Sequence, residues 1–88
     1  MEVVYKNKFL KQLDKIKLQT TKDKLIQFIE QVKEAETITD LEKVKKMKGF
    51  DTAYRYKMGD YRVGFFYEDG VITFAAFMHR KEIYTFFP

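Results

Sequence analysis

The chain has 88 residues, 45% of them apolar, 34% charged and 17% aromatic, with no Cys and a single His. A length of this order supports one modest core without staples, so one domain over residues 1–88 is expected. A Cys-ligated zinc site, an iron–sulfur cluster and a thiol nucleophile are excluded. Seventeen basic against 13 acidic residues give a net +4, which suits a polyanionic partner and equally well serves solubility.

Met1–Tyr5 is too short for a signal core and Lys6 interrupts it. No apolar run approaches the ~20 residues of a membrane span. A cytoplasmic protein with no membrane partner is the expectation. Val3–Tyr5 is β-branched and aromatic and reads as a first strand. From Asn7, Phe9, Leu13 and Ile16 recur at helical spacing with Leu10 beside them, up to a break at Thr20–Thr21. Thr20 followed by Asp23 resembles the cap of a second helix, whose stripe is Leu25, Phe28, Ile29 and Val32. The two helices should form an antiparallel hairpin. Residues 33–38 read as a loop. Thr39-Asp40-Leu41-Glu42 matches a capping box and predicts a short helix with Leu41, Val44 and Met47 inward, stopped at Gly49.

From Ala53 the period becomes two. Tyr54–Met58, Tyr61–Tyr67 and Val71–Met78 read as strands joined by a type II′ turn at Gly59-Asp60 and a type I′ turn at Asp69-Gly70. His79 to Pro88 is an irregular or helical tail. The fold class is α+β: an N-terminal strand and a helical hairpin packed on one face of a small antiparallel β-meander.

Charge and aromatics divide unevenly. Residues 1–44 hold nine Lys, no Arg and three aromatics; residues 45–88 hold all three Arg and twelve aromatics. Two-residue turns set Lys57 opposite Arg62, Gly64 opposite Ala75 and Phe65 opposite Phe74. One face then carries Tyr54, Tyr56, Val63, Phe65, Tyr67, Ile72, Phe74 and Ala76 toward the helices. The other carries Arg55, Lys57, Arg62, Gly64, Ala75, Phe77 and His79. Strict alternation sends Arg80 to the helix side. Like charges across a ladder are destabilising, and such a local conflict is where a functional site is expected. Gly64 and Ala75 leave room for a ligand on the sheet. Cations beside aromatics suit a phosphate chain and stacked bases.

Each residue also has an ordinary reading. Lys57 and Arg62 can pair with Asp60 or Glu82 as surface salt bridges. A histidine titrates near neutrality, as a general acid or base must, yet a lone His79 is more often a packed or surface residue. With no second His and no Cys, no metal is expected. The Lys43–Lys48 run is a solvated helix face or a guide for RNA backbone. Tyr84 serves packing or recognition. Phe86-Phe87 either docks on the core or awaits a partner.

Lys46-Met47-Lys48-Gly49, Tyr54-Arg55-Tyr56-Lys57-Met58-Gly59-Asp60-Tyr61-Arg62 and His79-Arg80-Lys81-Glu82-Ile83-Tyr84 together resemble the RelE/ParE family of bacterial type II toxin–antitoxin toxins. The resemblance implies a ribosome-dependent endoribonuclease that cuts mRNA in the A site without metal or cofactor. The 2′-hydroxyl attacks the adjacent phosphate, and a cognate antitoxin wraps the toxin, which when free is expected to be a monomer. It implies Lys57 as base or charge stabiliser and Arg62 at the transition-state phosphate. Arg80 falls at the leaving group, Tyr84 at a base, and His79 where some members place a catalytic His. Arg55, Lys45, Lys46, Lys48, Phe77 and Lys81 complete the expected RNA contacts. A ParE-type toxin that poisons DNA gyrase and cuts nothing, or an inactive co-repressor of its antitoxin, would share the fold.

Overall fold

The computed structural model describes residues 1–88. Strand β1 (Glu2–Tyr5) precedes helices α1 (Asn7–Asp14) and α2 (Gln19–Glu34). Then come β2 (Val44–Lys46), β3 (Ala53–Met58), β4 (Tyr61–Glu68), β5 (Val71–His79) and one turn of helix, α3 (Ile83–Phe86). The strands form a single sheet in the order β1-β5-β4-β3-β2. All pairs are antiparallel except β1 with β5. No helix is long and apolar enough to cross a membrane.

The apolar stripe of α2 is buried at Leu25, Phe28, Ile29 and Val32, and α1 adds Phe9. These spacings of three and four put one continuous edge of each helix on the sheet. There they meet Val63, Phe65, Ile72 and Phe74. Aromatic stacking locks the layer: Phe28 lies on Tyr56 with ring centres 3.6 Å apart, and Phe9 on Phe74 at 5.3 Å. The amino group of Met1 donates to the carbonyls of Val32, Lys33 and Ala35 at 3.1, 2.9 and 2.7 Å. It thereby satisfies acceptors that the end of α2 leaves without helical partners.

Burial pushes the Tyr56 phenol above its ordinary value of 10.0, because the charged form loses hydration. The folded chain keeps this proton to higher pH than the unfolded chain does. Its stabilising contribution is therefore complete below the unfolded value and is lost as pH rises through the folded one. Tyr56→Phe should weaken the alkaline fall in melting temperature while leaving the neutral-pH slope unchanged, as read by thermal unfolding across ~pH 9 to 11.

Several expectations shift at element boundaries. Helix α2 starts at Gln19, so Thr20 lies inside its first turn and caps nothing. Asp23 instead accepts from Gln19 at 2.8 Å. Helix α1 ends at Asp14, leaving Ile16 in the connection, and α2 runs on through Glu34. The capping box is Thr37 with Asp40, two residues before the expected one, and it closes only a three-residue 3₁₀ turn. No helix follows, because Leu41 is extended and Lys43 has φ +62°. Residues 44–46 pair with β3 instead, setting Val44, Lys45 and Lys46 against Tyr56, Arg55 and Tyr54. Gly49 belongs to the turn between these strands.

The Gly59-Asp60 turn delivers the expected pairing of Lys57 with Arg62, Arg55 with Gly64 and Tyr54 with Phe65. At the second hairpin Asp69 and Gly70 both have positive φ, +52° and +78°, as a type I′ turn requires. Phe65 accordingly faces Phe74. The ladder then breaks. A bulge leaves Ala75 unpaired, so Gly64 faces Ala76, Val63 faces Phe77, Arg62 faces Met78 and Tyr61 faces His79. One extra residue reverses the side of everything beyond it. Phe77 and His79 therefore leave the basic face for the helix side, and Ala76 leaves the helix side for the outer face, against the expectation from regular alternation. The same shift reverses the expectation for Arg80.

The outer face is not open either. Met47, Ala53, Ala75, Ala76, Ile83 and Phe87 form a second buried cluster there. A Cβ on Gly64 would stand 2.7 Å from Cδ2 of Phe87. The room left by Gly64 and Ala75 is filled by the chain's own tail, in which Phe87 is buried and Phe86 exposed.

Candidate functional site

Cross-strand pairing builds a row of cations on the outer face. Lys45 on β2 neighbours Arg55 on β3, and Lys57 beside it on β3 neighbours Arg62 on β4. None of the four makes a salt bridge; the ion pairs of the chain are Lys33–Glu30 and Arg80–Asp60. The surface pairings with Asp60 or Glu82 that would have made Lys57 and Arg62 ordinary are thus not formed. Lys57 is exposed and Arg55 half-buried.

Arg62 is the buried member, 9% exposed. One terminal nitrogen of its guanidinium, Nη1, donates to the carbonyls of Gly59 and Tyr61, both at 2.8 Å. Its Nε is buried with no partner. A largely buried cation with no counter-charge, held at Nη1 by carbonyl dipoles and with an orphan donor at Nε, is under-compensated. An anion brought to it would find a preorganised charge.

The tail meets this row at Arg55. Ile83 and Phe87 anchor α3 on the sheet, and Arg55 Nε donates to the Tyr84 hydroxyl at 3.0 Å. Tyr84 stays 63% exposed, so its ring is a solvent-facing platform fixed at one end. Arg80 lies just past β5. Its N–H donates to Asp60 O at 2.7 Å and its Nε stands 4.0 Å from Asp60 Oδ1, which ties it to the β3–β4 turn.

Other expected site residues lie elsewhere. Lys46 pairs with Tyr54 and so alternates to the helix side. Lys48 is exposed in the β2–β3 turn and Lys81 in the turn before α3. His79 and Phe77 sit across the sheet from Lys57 and Arg62. Sequence reading missed Tyr61, which stacks on Phe77 with ring centres 5.1 Å apart, and Gln12, whose side-chain oxygen accepts from Phe77 N at 2.7 Å. The Ala75-Ala76 pair, two small residues inside a strand, was the available sign of the bulge that groups them.

A helical layer thus covers one face of a mostly antiparallel sheet, and the other face carries a row of cations without ion-pair partners. The model of the family described as "ParE toxin of type II toxin-antitoxin system, parDE" matches residues 3–84. Toxin RelE3 of Methanocaldococcus jannaschii is 36% identical over 90 residues, spanning 100% of both chains. Among solved structures, the RelB-RelE antitoxin–toxin complex from Methanococcus jannaschii contains a chain that superposes with a TM-score of 0.80 at 29% identity, covering 97% of this chain and 99% of that one. A chain of the intact E. coli RelBE toxin–antitoxin complex superposes with a TM-score of 0.71 at 20% identity, covering 89% and 94%. The chain belongs to the RelE/ParE family and is a toxin of a type II toxin–antitoxin system. The curated relative is archaeal, so family membership does not carry the bacterial origin that the motifs suggested.

Proposed function

We propose that the toxin is a ribosome-dependent endoribonuclease acting on mRNA in the A site, and that a cognate antitoxin silences it. The observation that carries this reading is the unpaired row Lys45, Arg55, Lys57 and Arg62, with one buried guanidinium whose Nε has no partner. In the proposed reaction the 2′-oxygen of one nucleotide forms a bond to the adjacent phosphorus and the bond to the 5′-oxygen breaks. The products are a cyclic phosphate and a 5′-hydroxyl. Arg62 meets the non-bridging oxygens as their charge grows, which is where fixed positive charge accelerates most. Lys57 takes the 2′ proton, or adds a second positive charge while water takes that proton, since an arginine is a poor proton acceptor. Arg80 supports the leaving oxygen, which takes a proton from water to become the 5′-hydroxyl, and Tyr84, held by Arg55, orients a base. Positioning of these groups in advance of the reaction supplies the remaining acceleration. The antitoxin is proposed from the RelB-RelE and RelBE complexes named above.

The family model carries the ParE name, so a gyrase poison is the second reading. In vitro translation with primer extension decides between them. The expected result is truncation within codons at the A site, only when ribosomes are present. Intact message together with stalled gyrase–DNA complexes would establish the ParE reading, and a chain harmless when expressed alone would point to an inactive member.

A further inference from the structure

On the helix side of the sheet, opposite the basic row, Tyr61, Phe77 and His79 form an aromatic cluster. The rings of Tyr61 and Phe77 lie 13° apart, and His79 stands edge-on to Tyr61 with centres 5.7 Å apart. Tyr61 is 39% exposed. The three share a face only because Ala75 is bulged; a regular ladder would have sent Phe77 and His79 to the other side. Bulges commonly re-aim side chains beside functional sites.

The cluster borders a groove of about 490 Å³ whose walls include Gln12, Ile16, Leu18, Tyr61 and Phe77, with Lys15 and Lys17 also lining it. It continues past Tyr61 to His79 and Glu82. Two polar groups are fixed in orientation. Gln12 Oε1 is occupied by the Phe77 N–H at 2.7 Å, which leaves its amide NH₂ as a donor without a partner in the chain. His79 Nδ1 accepts from Lys81 N at 3.2 Å, so in the neutral ring the proton sits on Nε2. No carboxylate lines the first part of the groove, and neither Lys15 nor Lys17 is in an ion pair.

We propose that this groove is a nucleobase site for single-stranded RNA, with one base stacked on Tyr61 and the flanking phosphates met by Lys15 and Lys17. An aromatic platform with adjacent cations binds any base by its π face. The Gln12 and His79 donors match the carbonyl oxygens and ring nitrogens of base edges, and the volume suits a ligand of nucleoside size. Charge complementarity favours RNA over an apolar peptide, because Lys15 and Lys17 line the groove and are in no ion pair. Tyr61 and Arg62 are consecutive and point to opposite faces at the Gly59-Asp60 end of β4. A strand bending around that end reaches both the groove and the basic row. The inference rests on the RNA reading of the basic row and extends it to a second contact.

The test uses the intact toxin and a fluorescein-labelled RNA decamer with 2′-O-methyl sugars, which cannot be cleaved. Tyr61→Leu should weaken binding about tenfold, and Tyr61→Phe, which keeps the ring, should restore it. A decamer of abasic sugar-phosphate should bind both proteins equally. The Lys15→Ala/Lys17→Ala double variant should flatten the dependence of log Kd on log salt by ~1–2. Circular dichroism and melting temperature verify folding. Absence of measurable RNA binding, unchanged affinity of Tyr61→Leu, or an equal loss on the abasic strand would overturn the proposal. So would a Tyr61→Leu protein that binds RNA normally but loses its antitoxin, since the groove would then be a protein-docking surface. Tyr61-dependent binding by a chain that leaves ribosomal mRNA uncut would overturn the nuclease reading alone.

Discussion

Arg62→Ala should abolish growth arrest, with ribosome-dependent cleavage falling by ~10²-fold or more, the scale on which a preorganised charge at a developing oxyanion acts. The side chain sits almost wholly inside the protein, yet no carboxylate neutralises it. Two carbonyls hold one nitrogen, and Nε is left over. A cation buried this far without a counter-charge has little structural justification, because a neutral residue of similar volume would spare the desolvation. Its gain comes when an anion arrives. Removing it also strips the Gly59 and Tyr61 carbonyls of a donor, so some stability will be lost and the variant alone is ambiguous. Lys57 resolves this. It is exposed, faces Arg62 across the ladder and makes no hydrogen bond through its side chain. Lys57→Ala should therefore melt within about 0.5 kcal/mol of the parent, or slightly above it once the like-charge pair is relieved, and still lose toxicity. Full toxicity in both variants would place the active groups elsewhere.

How much of this was legible depended on where the determinants lie. Strand faces follow from a period of two and from turn residues, so the pairing of Lys57 with Arg62 was readable from Gly59-Asp60. The same holds for the helical stripe of Leu25, Phe28, Ile29 and Val32. Two features escaped. The segment from Thr39 carries helix-start chemistry, but its backbone groups find partners on the open edge of β3, and tertiary pairing outweighs a local cap worth ~1 kcal/mol. The bulge at Ala75 has only a faint local sign, the two small residues Ala75-Ala76. It follows from fitting Phe77 under the helices beside Val63 while leaving Gly64 beneath Phe87, which depends on contacts far apart in sequence. The basic row survived because the bulge lies beyond it. The assignments of Phe77 and His79 did not, because both follow it.

The largest structural effect is expected at Gly64. A methyl group there meets the Phe87 ring at three carbons, 2.7, 2.8 and 2.9 Å away, so the ring must leave its site. Phe87 is 4% exposed and holds the second cluster together with Met47, Ala53, Ala75, Ala76 and Ile83. Overpacking of this kind costs ~1–3 kcal/mol. In a domain of this size the melting temperature should then fall by roughly 4–8 °C for each kcal/mol. The cause is separable from any effect on the strand itself. In a Phe87→Ala background the ring is already gone, so Gly64→Ala should become nearly neutral, giving a double-mutant coupling of about the size of the single loss. Equal destabilisation in both backgrounds would show that Gly64 is needed by the bulged ladder rather than by the tail. The same cycle bears on the site. Ile83 and Phe87 anchor the helix that carries Tyr84 to Arg55, so displacing the ring should loosen the tyrosine as well. Cleavage by Gly64→Ala should accordingly drop at temperatures where the variant is still fully folded, whereas a purely global destabilisation would leave cleavage at the parent's rate until the protein melts.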